Sequence, residues 1–355
     1  QPQIIEQAME EPLSQHVRLI QQLEREGLLD RALEFLPKDE ELQQREHLTR
    51  SELAVLLAYV KMRVYDQLLN SDLADNDYLQ EELKHYFPQQ LAAYGEAMAK
   101  HPLRREIICT YLTNDLVNHM GLGFLSRMQE ESGRSAADIA LAYWVARAVF
   151  NAEGYWQRID IQDNLIAAER QVEMHRQVRR LLESGTLWFL DQFSQLDVAS
   201  LIQSFRPQVK ALIGGNWFKE KFAVQGSDLS AEMVLLPHYV SALDIVLLAQ
   251  AAKVELAKVG DLYSQLDQRL NGSWFREQIA NLPGDSFWDK QVQRSMLQRL
   301  GNLVRQLAQR LLDSSLKEWE GQHSVPLARL DEQLASLQER PASLAVLAVL
   351  LDQLH

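Results

Sequence analysis

An all-α protein, a bundle or array of about a dozen or more helices, is predicted by three properties of the 355-residue chain. Gly (15) and Pro (10) are scarce for this length, so little punctuates the backbone. Leu, Ala, Gln, Glu and Arg, which favour helices, are frequent. Apolar residues recur at 3–4 spacing, and few windows alternate with period two.

The first 47 residues hold two helix-like pieces, around Ser14 to Phe35 and Asp39 to His47, interrupted by Gly27 and Pro37. Thr49 and Glu52 then form a T-x-x-E capping box. The helix it opens carries an apolar stripe through Leu53, Leu56, Leu57, Val60, Val64 and Leu68. NSDLADND (70–77) ends it, and a shorter helix from Tyr78 stops before Pro88.

A central stretch follows, from His101 to Phe150. It reads as a helix over Leu103 to His119, a Gly-Leu-Gly turn, a helix closed by Gly133 and a third opened by Ser135. The first of these is apolar on every side, with Leu103, Ile107, Ile108, Cys109, Leu112, Leu116 and Met120, which predicts burial. Asn114 and Asn118 lie one turn apart on it, and buried amides need partners. The expectation is that both bond protein groups, such as the backbone of Gly121 to Gly123, with a ligand site as the minor reading.

Beyond the NAEGY turn, one helix or two in succession cover about Ile159 to Phe193, with Leu165, Val172 and Leu181 on the apolar side. The basic run Arg176 to Arg180 is read as a solvated face. Arg206-Pro207 is the expected subdomain boundary, with a weaker break at Gly214-Gly215-Asn216. Helices resume over Ala242 to Ala252, Glu255 to Asn271, Trp274 to Asn281 and Ser286 to Ser315, the last capped by Asp285 or Ser286. The tail has two leucine seams, Leu327, Leu330, Leu334 and Leu337, then Leu344, Leu347, Leu351 and Leu354 beyond Pro341. Each is under two full heptads, so a hairpin closing its own bundle is favoured over an intermolecular coiled coil. Tryptophans including Trp144, Trp156, Trp188, Trp274 and Trp288 are expected as packing anchors, while Asn216-Trp217-Phe218 is expected at the surface.

Composition narrows the function classes. Hydrophobic residues at 46% and charged residues at 24% are ordinary for a globular protein. A net charge of −13 disfavours nucleic acid and anionic membranes as partners. The lone Cys109 cannot form an intrachain disulfide and fits a reducing, cytoplasmic setting. No leader is expected in residues 1–12, which carry Glu6, Glu10, Glu11 and two prolines, and the longest apolar runs fall far short of a membrane span.

Candidate chemistry is sparse. Gly121-Leu-Gly123 is the nearest approach to a dinucleotide fingerprint, but it follows a helix and lacks the third glycine. Two Glu-x-x-His spacings, Glu82 with His85 and Glu320 with His323, match half of a di-iron motif. No further carboxylate helices accompany them, so chance spacing is the better account. A G-x-S-x-G elbow is missing, and Cys109 reads as an inert core thiol. No catalytic, cofactor-binding or metal-ligating residue is assigned.

The run LRREIICTYLTNDLVNHMG (103–121) and the FLSRMQEESGRSAADIALAY segment (124–143) resemble the C-terminal helical region of the large bacterial NAD-specific glutamate dehydrogenases. So do LDRALEFLPKDEEL (29–42), LTRSELAVLLAYVK (48–61), LWFL (187–190), LDIVLLA (243–249) and LPGDSFWDKQVQR (282–294), which extends the likeness over nearly the whole chain. The resemblance implies a piece of a longer enzyme that oxidatively deaminates L-glutamate to 2-oxoglutarate and ammonia with NAD. On that reading residues 1–48 are a helical connector from the catalytic part, 49–205 a central subdomain and 206–355 a C-terminal one. NAD would belong to the parent, with no cofactor held by this chain. The expected partners are the catalytic domain of the same chain and further copies of it, with a role in assembly, interdomain contact or regulation. The alternative is a stand-alone helical scaffold for protein interactions.

Overall fold

Helices make up every regular element among the residues described, which are 2–9, 11–80, 87, 89–163, 165–215, 217–226, 228–282, 287–337 and 342–353 of the computed structural model. In chain order they are α1 (Pro2–Met9), α2 (Leu13–Arg25), α3 (Asp39–Leu42), α4 (Arg50–Leu69), α5 (Gly95–Ala99), α6 (Arg104–Met120), α7 (Phe124–Ser132), α8 (Ala136–Val149), α9 (Ala152–Asp160), α10 (Ala168–Gln192) and α11 (Val198–Gly214). Next come α12 (Trp217–Lys221), α13 (Leu229–Leu235), α14 (Ser241–Ala252), α15 (Leu256–Arg269), α16 (Gly272–Ala280), α17 (Phe287–Leu311), α18 (Leu316–Gln322), α19 (Ser324–Leu337) and α20 (Leu344–Gln353), with short 3₁₀ turns between some of them. The all-α expectation holds.

Local chemistry sets several ends. The Thr49 hydroxyl accepts from the Glu52 N–H while the Glu52 carboxylate accepts from the Thr49 N–H, so the capping box opens α4 as read. Ser135 accepts from the Asp138 N–H and opens α8, and Gly133 closes α7 in the left-handed region at φ 67°. Capping of α17 by Asp285 or Ser286 lies outside the described residues.

Two units divide the chain: residues 1–210 with 226–237, and residues 211–225 with 238–355. Helix α11 passes from one to the other with Pro207 inside it, so the chain changes unit close to Arg206-Pro207 without a break in the helix. The ring removes one backbone hydrogen bond, but Phe205 and Val209, one turn apart, are both buried and hold the helix across it.

Within each unit the same segment recurs. In the first, a 14-residue helix (α8) is followed by Asn151 in the left-handed region (φ 54°), a nine-residue helix (α9) and a 25-residue helix (α10). In the second, a 14-residue helix (α15) leads to left-handed Asn271 (φ 55°), a nine-residue helix (α16) and a 25-residue helix (α17). Tyr143, Asn151 and Ile159 correspond to Tyr263, Asn271 and Ile279 at a constant offset. Each buried tyrosine donates to a buried aspartate on a preceding helix, Tyr143 to Asp115 at 2.7 Å and Tyr263 to Asp244 at 3.0 Å. Equal helix lengths, the same left-handed Asn and the same Tyr–Asp bond identify a structural repeat.

The leucine seams of the tail pack inside their own unit. Leu330, Leu334, Leu347, Leu350 and Leu351 share a core with Phe275, Ile279, Met296 and Leu300 of α16 and α17. The seam of α20 differs from the expected register, because Leu344 is exposed and Leu350 takes an inward place. Pro341 and Leu354 lie outside the described residues. Several apolar expectations change. Phe218 is fully buried against Tyr239 and Trp217 is half-buried against Gly260, where surface was expected, while Asn216 lies outside the described residues. Leu165 and Trp288, expected to pack, are exposed, since both sit on the outward side of the first turn or loop that precedes a long helix.

Leu347 has no accessible surface in the core that joins α16, α17, α19 and α20. Leu347→Ala is expected to cost roughly 2–5 kcal/mol in denaturant unfolding, the range for an emptied core leucine. A loss well below 1 kcal/mol would show that the tail does not cover this core in solution.

Candidate functional site

The first unit concentrates its buried polar groups around the C-terminal half of α6. From Ile108 onward this helix is largely enclosed, with Ile108, Cys109, Leu112, Leu116, Val117 and Met120 in the core. Burial pushes the Cys109 thiol up to about 11, which leaves it protonated and inert as read from sequence. Among these apolar groups sits the Asp115 carboxylate. It accepts from Tyr143 at 2.7 Å and faces Arg147 Nε at 3.5 Å and His119 Nδ1 at 3.4 Å. Burial would raise the Asp115 pKa, but these partners outweigh it and hold the group below its usual value.

The two amides of α6 part ways. Asn114 Oδ1 accepts from Lys61 Nζ of α4 at 2.8 Å, so it is tied to protein, though not to the glycine turn. Asn118 Oδ1 is buried without a hydrogen-bond partner, contrary to the expectation for the pair. The Asn118 residue borders a cavity against α1, α9 and α10, while that oxygen itself is shielded from solvent.

The Gly-Leu-Gly turn serves a different network. Gly121 adopts φ +84°, and a Cβ there would lie 2.6 Å from Glu11 Oε1 and 3.1 Å from Arg179 Nη1. Only glycine fits both the backbone and the contact. Arg179 joins the pieces: its Nε donates to the His119 carbonyl at the end of α6 (3.2 Å), Nη1 to Glu11 (3.1 Å) and Nη2 to Gln7 (2.7 Å). Arg179 is therefore drawn inward from the basic run that the sequence suggested was a solvated face, since it satisfies an end carbonyl of α6 and a buried carboxylate together. Glu11 also faces His16, 3.7 Å away and buried. Arg127 pairs with Glu183 nearby in the same unit. Burial opposes ionisation of Glu11, yet His16, Arg179 and Arg127 hold its pKa below the ordinary value.

Beside this network lies a cavity of about 210 Å³. Asn118 and His119 of α6 form one wall, Trp156 and Asp160 of α9 another, His175 of α10 a third, and Ile4 and Gln7 of α1 close it. The His119 ring stacks on Trp156, centroids 3.6 Å apart and planes within 5°. Its Nδ1 is 2.9 Å from the Asp115 carbonyl oxygen, and His175 Nε2 is 3.2 Å from Asp160 Oδ1. Burial lowers the His175 pKa despite the neighbouring Asp160, which favours the neutral ring. The lining thus brings two imidazoles, a carboxylate and two amides beside an indole ring.

Glu82 and His85 lie outside the described residues. Glu320 faces Arg269 at 3.5 Å, and His323 stacks on Trp319 with Nδ1 near the Trp319 carbonyl. Among the described residues no three His, Cys, Asp or Glu side chains converge as metal ligands. Sequence reasoning missed His119, Trp156, Asp160 and His175 as one cluster. The available signal was weak: the four residues lie on three helices, only Trp156 and Asp160 one turn apart on the same one, and they meet only in the fold.

The carboxylates give a pH dependence with a definite sign. Glu11 and Asp115 have folded pKa values below those of the unfolded chain, so across the acid range the unfolded state binds more protons. Their stabilisation is complete above the ordinary carboxyl values and is lost as pH falls through the folded ones. The melting temperature is expected to fall steeply below about pH 4.5, and Glu11→Gln should lower it at neutral pH while making the acid limb shallower. An unchanged acid limb in thermal melts would contradict this.

Comparison with known proteins places these features in a family. A family model of the C-terminal part of glutamate dehydrogenase matches residues 45–215 and 223–355. The chain is similar to the NAD-specific glutamate dehydrogenase of Pseudomonas aeruginosa, 35% identical over 78% of this chain and 18% of the relative. It is also similar to those of Halomonas elongata (31% identical; 76% of this chain, 18% of the relative) and Mycobacterium tuberculosis (30% identical; 94% and 22%). The chain thus spans under a quarter of the length of each of these relatives. With the family model covering both units, the chain belongs to the glutamate dehydrogenase C-terminal family.

Proposed function

We infer that this chain is the non-catalytic C-terminal helical region of an NAD-dependent glutamate dehydrogenase, which oxidatively deaminates L-glutamate to 2-oxoglutarate and ammonia. The region serves assembly, interdomain contact or regulation in a cytoplasmic homo-oligomer. The observation that carries this reading is the match of both units to the C-terminal family model, in relatives several times longer than the chain. The glycine turn supports it. At Gly121, where a dinucleotide fold would bring backbone to a pyrophosphate, the Glu11 carboxylate lies in contact and would repel an anion. Interdomain contact is supported by Leu33 (73% exposed) and Phe35 (90% exposed), which precede residue 45, where the family match starts.

The isolated chain is expected neither to reduce NAD with glutamate nor to bind NAD, while a longer chain that includes the catalytic part does both. Titration calorimetry with NAD and a glutamate-dependent absorbance assay of the same preparation check this. Micromolar NAD affinity, or turnover that survives further purification, would overturn the non-catalytic reading.

A further inference from the structure

The segment between α2 and α3 is a braced turn with two large apolar side chains left in solvent. Leu29 and Leu36 anchor it in the core. Arg31 ties its arms together: Nε donates to Glu24 at 3.0 Å, Nη2 to the same carboxylate at 2.7 Å, and Nη1 to Asp39 at 2.6 Å. Two further bonds fasten the turn to α4, from the Tyr59 hydroxyl to Glu34 at 2.6 Å and from Arg63 Nε to Glu26 at 2.6 Å. On this fixed frame Leu33 and Phe35 stay exposed, and Phe35 holds the left-handed backbone region at φ 53°, which an aromatic residue rarely adopts. Met62, three residues on from Tyr59 along the same side of α4, is exposed as well. Apolar side chains displayed on a preorganised turn suit a binding anchor, because little ordering entropy remains to be lost on docking.

The surroundings select the partner. Residues 26–41 carry six acidic side chains and two basic ones. A second copy meeting this turn face to face would set the acidic rim against itself, and an anionic bilayer would be repelled in the same way. A surface with Lys and Arg around an apolar pocket is complementary. The patch is also small, since Leu33, Phe35 and Met62 expose on the order of a few hundred Å², short of the roughly 800 Å² per side that a stable complex of separate proteins buries. A partner on the same chain escapes that requirement, because covalent linkage raises its effective concentration. The turn lies N-terminal to residue 45, where the match to the C-terminal family begins.

We propose that the Leu33–Phe35 turn is the anchor by which this region docks on the catalytic part of its own parent chain, in an apolar pocket rimmed by Lys and Arg. The inference rests on the function proposed above and names the surface that makes the interdomain contact. Phe35 supplies the central apolar group, Leu33 and Met62 flank it, and the acidic rim aligns it. Arg31, Tyr59 and Arg63 are positioning residues that hold the turn in its docking shape.

The test is photo-cross-linking in the full parent chain carrying Phe35→benzoylphenylalanine, with the joined peptides identified by mass spectrometry. Joining to the catalytic part of the same chain, beside Lys or Arg, is expected. Joining only within residues 1–355, only to a second copy, or to nothing would overturn the proposal. Glutamate-dependent reduction of NAD by the unmodified full chain scores the functional reading separately: an inactive chain would reject that reading and the proposal with it, whereas an active chain without the cross-link would reject the docking alone. Leu33→Ser combined with Phe35→Ser gives a second measure. In the 355-residue protein the pair should leave the melting temperature within about 2 °C, as befits exposed side chains. In the full chain it should speed protease cleavage between the catalytic part and residue 45 by roughly tenfold or more. A larger fall in melting temperature, or unchanged cleavage, would also overturn the proposal.

Discussion

The carboxylate of Asp115 is the group around which the first unit is arranged. Placing it among Ile108, Leu112 and Tyr143 without partners would cost several kcal/mol, far more than a typical helix contact supplies. The cost is offset only when the Tyr143 hydroxyl, Arg147 and His119 arrive together. That requirement fixes the rotation of α8 against α6, because Tyr143 and Arg147 are one turn apart on a single face. It also turns His119 flat against Trp156, and Arg147 lies over the Trp144 ring, 4.7 Å from its centroid. The wall of the cavity is thus a consequence of satisfying one buried charge.

The second unit meets the same need with different residues. Asp244 accepts from Tyr263, as Asp115 does from Tyr143, but its arginine comes from α17, with Arg305 Nη1 3.4 Å away. This frees the position equivalent to Arg147 to become Asp267, which in turn requires Arg276. The chain of substitutions is internally consistent: moving one cation to another helix changes the charge demanded at two further sites. His238, in the same unit, is pushed down to about 4 by burial and the Arg276 charge, so it stays neutral beside Phe222, on which it stacks. The tyrosine, the left-handed asparagine and the apolar isoleucine are what both copies keep.

Much of this was legible in the sequence, and the reasons are local. Capping at Thr49 and Ser135 and termination at Gly133 depend on residues within one turn, so they read directly. The tail hairpin read correctly because a leucine seam too short for a coiled coil must find cover nearby. Pro207 lies close to the change of unit yet does not end the helix, since its cost is modest beside the apolar burial on both sides of it. Arg179 misled because a charge run looks solvated until a distant carboxylate, here Glu11, claims one member. The repeat escaped because Tyr143, Asn151 and Ile159 are nearly all that its copies share, while helix lengths and φ values carry the rest. The likeness to the dehydrogenases, by contrast, was carried by long continuous runs and needed no fold.

The glycine turn shows why a motif must be weighed with its surroundings. Gly121 has both properties that a phosphate loop demands, a positive φ and an approach too close for any side chain, and it precedes the N-terminus of α7. What approaches is Glu11 Oε1, an anion belonging to the protein, with Arg179 as its counter-charge. A helix N-terminus rewards negative charge whatever its source, so a resident carboxylate can occupy the place that a diphosphate takes elsewhere. Once it does, the same local geometry that would admit a nucleotide becomes a structural joint between α1, α6 and α10, and the groups left without a hydrogen-bond partner around it include Glu11 Oε2, both ring nitrogens of His16 and, one turn away, Asn118 Oδ1.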